Sequence, residues 1–320
     1  MVPLVTLAVP VFNAEEYIAV ALESLLAQDY DNIEIIITDN ASEDRTQEIC
    51  LGYARDSRVQ YVRNLTNLGA GPNFNLGLKS SKGEFFKWCA HDDLISPNYV
   101  SECVRALEAD SQACLAFGAT KCVGSLGEPI PTVGEEMGAI ISDDPARRLR
   151  ECLQKQGACF PIFGVFRRAA LERTKLLRPY YGSDRGLLAE VAMLGNMIRV
   201  PDATMFIREH SRRSVNIQSK VARARWHNGS GSWWSSAEHI NLLCHLVGAA
   251  RAHPELIPAA LALKEVGIFA SRPRQMGRYL LEAASLVSFR RAYQLKNLLT
   301  KVASRSPAVL VSRDKEERFR

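Results

Sequence analysis

Five apolar runs in the first 120 residues constrain this chain most: LVTLAV (4–9), IEIIIT (33–38), VQYV (59–62), EFFKWCA (84–90) and ACLAFGA (113–119). Most of them lack alternation between apolar and polar residues, so they read as strands whose two faces are both covered. Strands of that kind belong to a largely parallel sheet with helices on both sides, and the intervals between the runs are long enough for crossover helices. Helical spacing fills those intervals. Ala14 to Gln28 places Tyr17, Ala21, Leu22 and Leu25 on one face, with Asn13 and Glu16 as a capping pair. Thr46 to Arg55, Pro72 to Lys79 and Pro97 to Ala109 follow, the last two opened by a proline where a missing N–H costs nothing. The expected class is α/β, with a βαβαβαβ order.

Beyond residue 120 the pattern changes. GSLGEPIPTVGEEMG (124–138) reads as a loop, helices are expected at Pro145 to Leu153 and Gly186 to Leu194, an apolar FPIFGVF lies between them, and ATMFIRE reads as a strand ending near residue 209. NGSGSWW then breaks the chain, and from Ser236 the spacing is helical, giving a C-terminal helical appendage. The expected divisions are 1–120, 121–215 and 216–320. A chain of 320 residues with 47% hydrophobic and 23% charged residues has the composition of a globular protein with a large core. Its eight cysteines include no Cys-x-x-Cys pair, so neither a zinc site nor a disulfide framework is expected. The first residues lack a basic leader and no apolar run nears the ~20 residues of a membrane span, so a cytoplasmic location is expected. The net charge of +5 is mild and gives no reason to expect a nucleic-acid partner. Twelve Lys or Arg against four Asp or Glu from Arg272 onward make the tail basic, which leaves two readings: a solvated face, or peripheral contact with an anionic membrane surface.

In an open parallel sheet, ligands bind beyond the carboxyl ends of the strands. Here those ends carry Pro10-Val11-Phe12-Asn13, TDNASED with Asp39 and Asn40, RNLTNLG, and His91-Asp92-Asp93. Adjacent acids at such a rim repel each other and any phosphate unless a divalent cation bridges carboxylate and ligand oxygens, so a metal-bridged diphosphate is the guest that suits them. There is no Gly-x-Gly-x-x-Gly after the first strand and no Gly-Lys-Ser/Thr loop, which removes the dinucleotide and P-loop readings.

Three of these segments resemble family-2 glycosyltransferases of the GT-A fold: VPVFNAEEYIAVALESLLAQDY, TDNASEDRT and AHDDLISPNYV, in order and at family spacing, within a match of about residues 4 to 214. The resemblance implies that Pro10, Val11, Asn13 and Asp39 form the nucleobase end, that Asp92 contacts the ribose, and that Asp93 binds the divalent ion, Mg2+ or Mn2+. The chain departs from the family pattern at Ala90, where an acid is usual, and at Phe74, where a basic residue is common.

YYGSDRGLLAEVAMLG places Asp184 just ahead of an amphipathic helix, the position of an N-cap. The segment is also similar to the family's acid-acid motif, which implies that Asp184 is the base of an inverting displacement onto a hydroxyl acceptor. FIREHSRRSV resembles the family's R-x-H tail; His210 is then a further metal ligand, and Arg212 and Arg213 reach the diphosphate. Trp226, Trp233 and Trp234 are read as lying in a Gly/Ser-rich loop, stacking on sugar, meeting lipid headgroups or anchoring the C-terminal helices. The function expected is transfer of a sugar from a nucleotide-diphosphate donor; the alternatives are a nucleotidyltransferase, for which a Gly-rich basic loop is wanting, and a binding protein without turnover.

Overall fold

A computed structural model describes residues 2–132, 137–155, 159–229, 232 and 234–287. Strands β1 (Val5–Val11), β2 (Ile33–Asp39), β3 (Val59–Arg63) and β4 (Phe85–Trp88) are parallel, linked through α1 (Ile18–Leu26), α2 (Thr46–Tyr53) and α3 (Ala70–Ser80). After them come β5 (Leu94–Ile95), α4 (Tyr99–Ala109), β6 (Ala113–Val123), β7 (Pro129–Ile130), α5 (Pro145–Gln154), β8 (Val165–Arg167), α6 (Arg168–Glu172), α7 (Asp184–Leu194) and β9 (Asn196–Arg208). The C-terminal part is α8 (Lys220–Asn228), α9 (Glu238–Ala249), α10 (Ala259–Ala270) and α11 (Pro273–Val287). The sheet order is β3-β2-β1-β4-β8-β6-β9-β5, with β7 paired to β6. Strand β8 is antiparallel to both neighbours, whereas β6 and β9 are parallel.

Both faces of the sheet are covered, as the unalternating strands require. Val5, Leu7 and Val9 of β1 face Ile18, Leu22 and Leu25 of α1 and Val100, Val104 and Leu107 of α4. On the other face Ala8, Phe86 and Trp88 join Leu149, Leu187, Val191, Leu246 and Val266, so residues of α9 and α10 belong to this core. Burying each such side chain contributes about 1.5–3 kcal/mol.

Two local expectations change. Helix α1 begins at Ile18, with no side-chain cap, rather than at Ala14. Asn13 instead adopts φ +50°, donates its N–H to Ser42 Oγ at 3.0 Å and accepts the Glu43 N–H on Oδ1 at 2.9 Å, so it ties the first strand-end loop to the second. Glu16 reaches Arg212 rather than back to Asn13. The segment FPIFGVF forms a 3-10 turn (Phe160–Phe163) and then β8, a three-residue strand too short for any period to show. All eight cysteines are free and six are buried. No helix among the described residues is long and apolar enough to cross a membrane. Trp233 and the basic segment after Val287 lie outside the described residues.

Candidate active site

The strand ends open onto a cavity of about 1110 Å³. It is lined by Pro10, Asn13, Asp92, Asp93, Asp184, His210, Arg212 and Arg213, so eight of the ten candidate residues come together on one surface. Val11 and Asp39 stand behind its wall. Asp39 is fully buried: Oδ1 accepts from the Ser42 N–H and hydroxyl at 2.9 and 2.6 Å, and Oδ2 from the Tyr61 hydroxyl and Arg63 Nη1 at 2.5 and 2.6 Å. Every lone-pair direction that a base or ribose would use is thus occupied by the protein. Desolvation, together with the charge of Asp39, raises the Tyr61 phenol well above its ordinary range.

Asp92 and Asp93 lie between β4 and β5 and are held by Arg208 at the end of β9. The Arg208 N–H donates to Asp93 Oδ1 at 2.9 Å and its Nε to the Asp92 carbonyl at 3.0 Å. Its Nη1 reaches the Ser125 carbonyl at 3.0 Å, and its guanidinium lies 4.9 Å from the Tyr17 ring centre. His210 Nε2 is 2.9 Å from Asp92 Oδ2, and its ring tilts against Tyr17 with centroids 5.0 Å apart. The two acids are driven apart. Burial pushes both upward, but His91 and the His210 hydrogen bond overcome this at Asp92 and hold it at about 2. At Asp93 burial and the Asp92 charge act together and push the carboxyl up to about 8.

Asp184 is the first residue of α7 rather than its N-cap. Ser183 occupies the cap position and turns its hydroxyl toward His227 Nε2 at 3.3 Å, while Asp184 Oδ1 accepts the Arg185 N–H at 2.9 Å. The helix is fixed from below: Glu190 Oε1 meets His245 Nε2 at 2.5 Å, and His245 Nδ1 meets the Tyr180 hydroxyl at 2.8 Å. A Cβ on Gly186 would lie 2.2 Å from that imidazole, so glycine is what lets α7 approach α9. At the neighbouring junction Gly69, at φ +86°, would place a Cβ 2.3 Å from the Gly229 backbone nitrogen, which seats the start of α3 against the end of α8. Arg212 pairs with Glu16 and Arg213 with Glu209, so both arginines reach the cavity with partners of their own.

A divalent ion can be tested against these groups. Two carboxylates suit Mg2+ or Mn2+, the raised Asp93 is a site that a cation charge would ionise, and His210 Nδ1 is buried without a partner. The donor set fits the ion, although among the described residues no three acid, imidazole or thiol side chains are already gathered to hold one.

Sequence reasoning missed the far wall of the cavity: Tyr181, Arg223, Glu238, His239 and Arg278, with Trp226 in helix α8 rather than in a loop. These residues carry no local motif. Only the packing of α9 on α7, of α11 on α9 and of α8 on α3 brings them to the site. Arg208 lies within the segment FIREHSRRSV, but nothing in its spacing distinguishes it from its neighbours.

A mostly parallel sheet with antiparallel β8 inside it and antiparallel β5 and β7 at its margins, and with acids at the strand ends of one cavity, is the GT-A class of α/β fold. In S. aureus TarS 1-349 in complex with UDP-GlcNAc the same fold is seen at TM-score 0.57 and 16% identity, covering 88% of this chain and 80% of that one. Residues 6–174 match the family model described as Glycosyl transferase family 2, and the chain belongs to that family. An uncharacterized glycosyltransferase of Rickettsia typhi is 41% identical over 33% of this chain and 32% of its own length. The putative glycosyltransferase EpsH of Bacillus subtilis is 30% identical over 56% of this chain and 52% of its own. The chain thus spans about a third or less of the Rickettsia relatives it matches.

Proposed function

We propose that this protein transfers a sugar from a nucleotide-diphosphate donor to a hydroxyl acceptor with inversion at the anomeric carbon. The observation that carries the reading is that Asp184, at the head of α7, lines the same cavity as Asp92 and Asp93. Pro10, Asn13 and Asp92 receive the nucleoside, while Val11 and Asp39 act on it through the loop they fix. Arg212 and Arg213 face the diphosphate. Asp93, with His210 as a further ligand, would hold a divalent ion, whose charge would offset that of the departing diphosphate.

Asp184 accepts the acceptor's hydroxyl proton as the oxygen attacks the anomeric carbon and the bond to the diphosphate breaks on the opposite face. Transfer is then a single displacement, and no glycosyl-enzyme forms. The basic segment from Arg272 onward would hold the protein at an anionic membrane surface, where an acceptor anchored in that surface meets the cavity.

Calorimetric titration with UDP and GDP, with and without manganese, followed by assay of donor hydrolysis, tests the donor half. Asp184→Asn is expected to lower transfer by about 10²–10⁴-fold while nucleotide affinity stays within about twofold of wild type. Wild-type transfer rates in both Asp184→Asn and Asp93→Ala would remove the mechanism.

A further inference from the structure

The cavity, about 1110 Å³, has two ends that differ in chemistry. The strand-end side holds the acids. The side formed by α8, α9 and α11 holds an aromatic platform and cationic groups. Trp226 is 40% exposed, and its ring meets Tyr181 edge-on with centroids 6.0 Å apart. Tyr181 is backed by the Arg223 guanidinium at 5.2 Å from its ring centre.

The acids on this side are already engaged. Glu238 takes both arms of Arg223 at 2.7 and 3.0 Å. Glu282 holds Lys220 at 2.6 Å and accepts the His239 and Ile240 N–H groups at 2.9 Å each, capping α9. Arg278 is different. Its hydrogen bond is a long one, 3.5 Å to Gln275, and it has no carboxylate in ion-pair reach among the described residues. Burial and the charges of Arg274 and Arg185 hold it below the usual guanidinium range. Burial also lowers the adjacent His239, Glu282 opposes this, and Arg278, Lys220 and Arg185 add to it, leaving that imidazole at about 4. At Arg278, Glu282 opposes the lowering only from a distance, since its oxygens are taken by Lys220 and by the α9 N–H groups, so the half-buried guanidinium makes no direct pair with an anion among the described residues.

We infer that the end of the cavity formed by α8, α9 and α11 is the acceptor subsite and that the acceptor is an anionic glycan: its sugar or polyol unit lies on Trp226 and its carboxylate or phosphate on Arg278. The inference rests on the glycosyl-transfer reading, since Asp184 and Arg185 stand at the same wall. A planar guanidinium matches carboxylate and phosphate in two-bonded geometry, and an exposed indole ring offers a flat apolar face to sugar C–H groups.

The test uses the full chain and tryptophan fluorescence with three probes: a glucuronate-containing tetrasaccharide, a glycerol-phosphate oligomer, and a neutral N-acetylglucosamine tetrasaccharide. At least one charged probe is expected to bind about tenfold or more tighter than the neutral one, and which of the two does so identifies the anion. Arg278→Gln should erase that preference, Arg278→Lys should keep part of it, and Trp226→Ala should weaken all binding. Equal binding of charged and neutral probes, no binding of any of them, or an unchanged preference in Arg278→Gln overturns the inference. UDP and GDP titrated into the wild-type protein separate the cases: nucleotide binding without anion preference defeats only the acceptor assignment, whereas absent nucleotide binding defeats the donor reading beneath it.

Discussion

Asp39 shows how one side chain can be placed by sequence and yet act otherwise than its place implies. It ends β2 as a ligand-facing residue would, but its carboxylate is spent on Ser42, Tyr61 and Arg63, and so joins two strands to the loop that Asn13 also grips. Removing it in Asp39→Ala leaves a phenol, a guanidinium and a backbone N–H without their acceptor. The expected loss is on the order of 3 kcal/mol, read as a lower urea midpoint with an unchanged slope. Asp39→Asn, which keeps one acceptor oxygen, should lose less. Had the residue's only work been to touch a base, nucleotide affinity would fall in Asp39→Ala while the midpoint stayed where it was.

At the scale of elements, α8 is the piece whose place no local rule predicts. Its His227 is buried between Ser183 and the Arg178 carbonyl, at 3.3 and 2.8 Å. Burial lowers this imidazole below its ordinary 6.5, opposed by the Arg178 hydrogen bond and by Asp184, while His239 falls to about 4. The sign of the consequence is fixed: with folded values below unfolded ones, the unfolded chain binds protons that the folded chain refuses. The contribution of these groups is therefore complete above about 6.5 and declines as pH falls toward about 4. Asp93, raised to about 8, acts in the opposite sense over this window, so the test is comparative: between pH 7 and 5 the urea midpoint of the wild type should fall relative to that of His227→Gln, which does not titrate, and equal pH dependence in the two would assign the effect to other groups. Strands β1, β2, β4 and β6 were legible because burial on both faces writes an unbroken apolar run. The strand-end acids were legible because charge at such a place needs a reason. Strand β8 was not, since three residues hold no period, and neither was the wall supplied by α8, α9 and α11, whose residues meet the site only through contacts distant in sequence. The spacing of Asn13 and Glu16 is that of a capping pair, but the bonds of Asn13 to the loop after β2 compete with capping and prevail.

The molecule as a whole joins its C-terminal helices to the core on one side of the sheet, which bears on how it unfolds. Leu246 of α9 and Leu188 of α7 belong to one apolar cluster with Leu149, Ile162 and Phe166, and Arg150 of α5 pairs with Glu265 of α10 at 2.7 Å. An appendage folding on its own would show a separate transition, and a defect in it would leave the sheet's stability intact. Continuity of the core predicts the opposite. Leu246→Ala and Leu188→Ala should each cost about 2–5 kcal/mol, and each should move a single cooperative transition seen alike by far-UV dichroism and by tryptophan fluorescence. The coupling reaches function as well. Helices α9 and α7 are fastened by His245 and Glu190, so loosening one displaces the helix that begins with Asp184. Leu246→Ala, though its side chain is buried away from the cavity lining, is thus expected to lower transfer as well as stability. Two separate transitions in Leu246→Ala, with the one assigned to the sheet unmoved, would show that the helices fold apart from it.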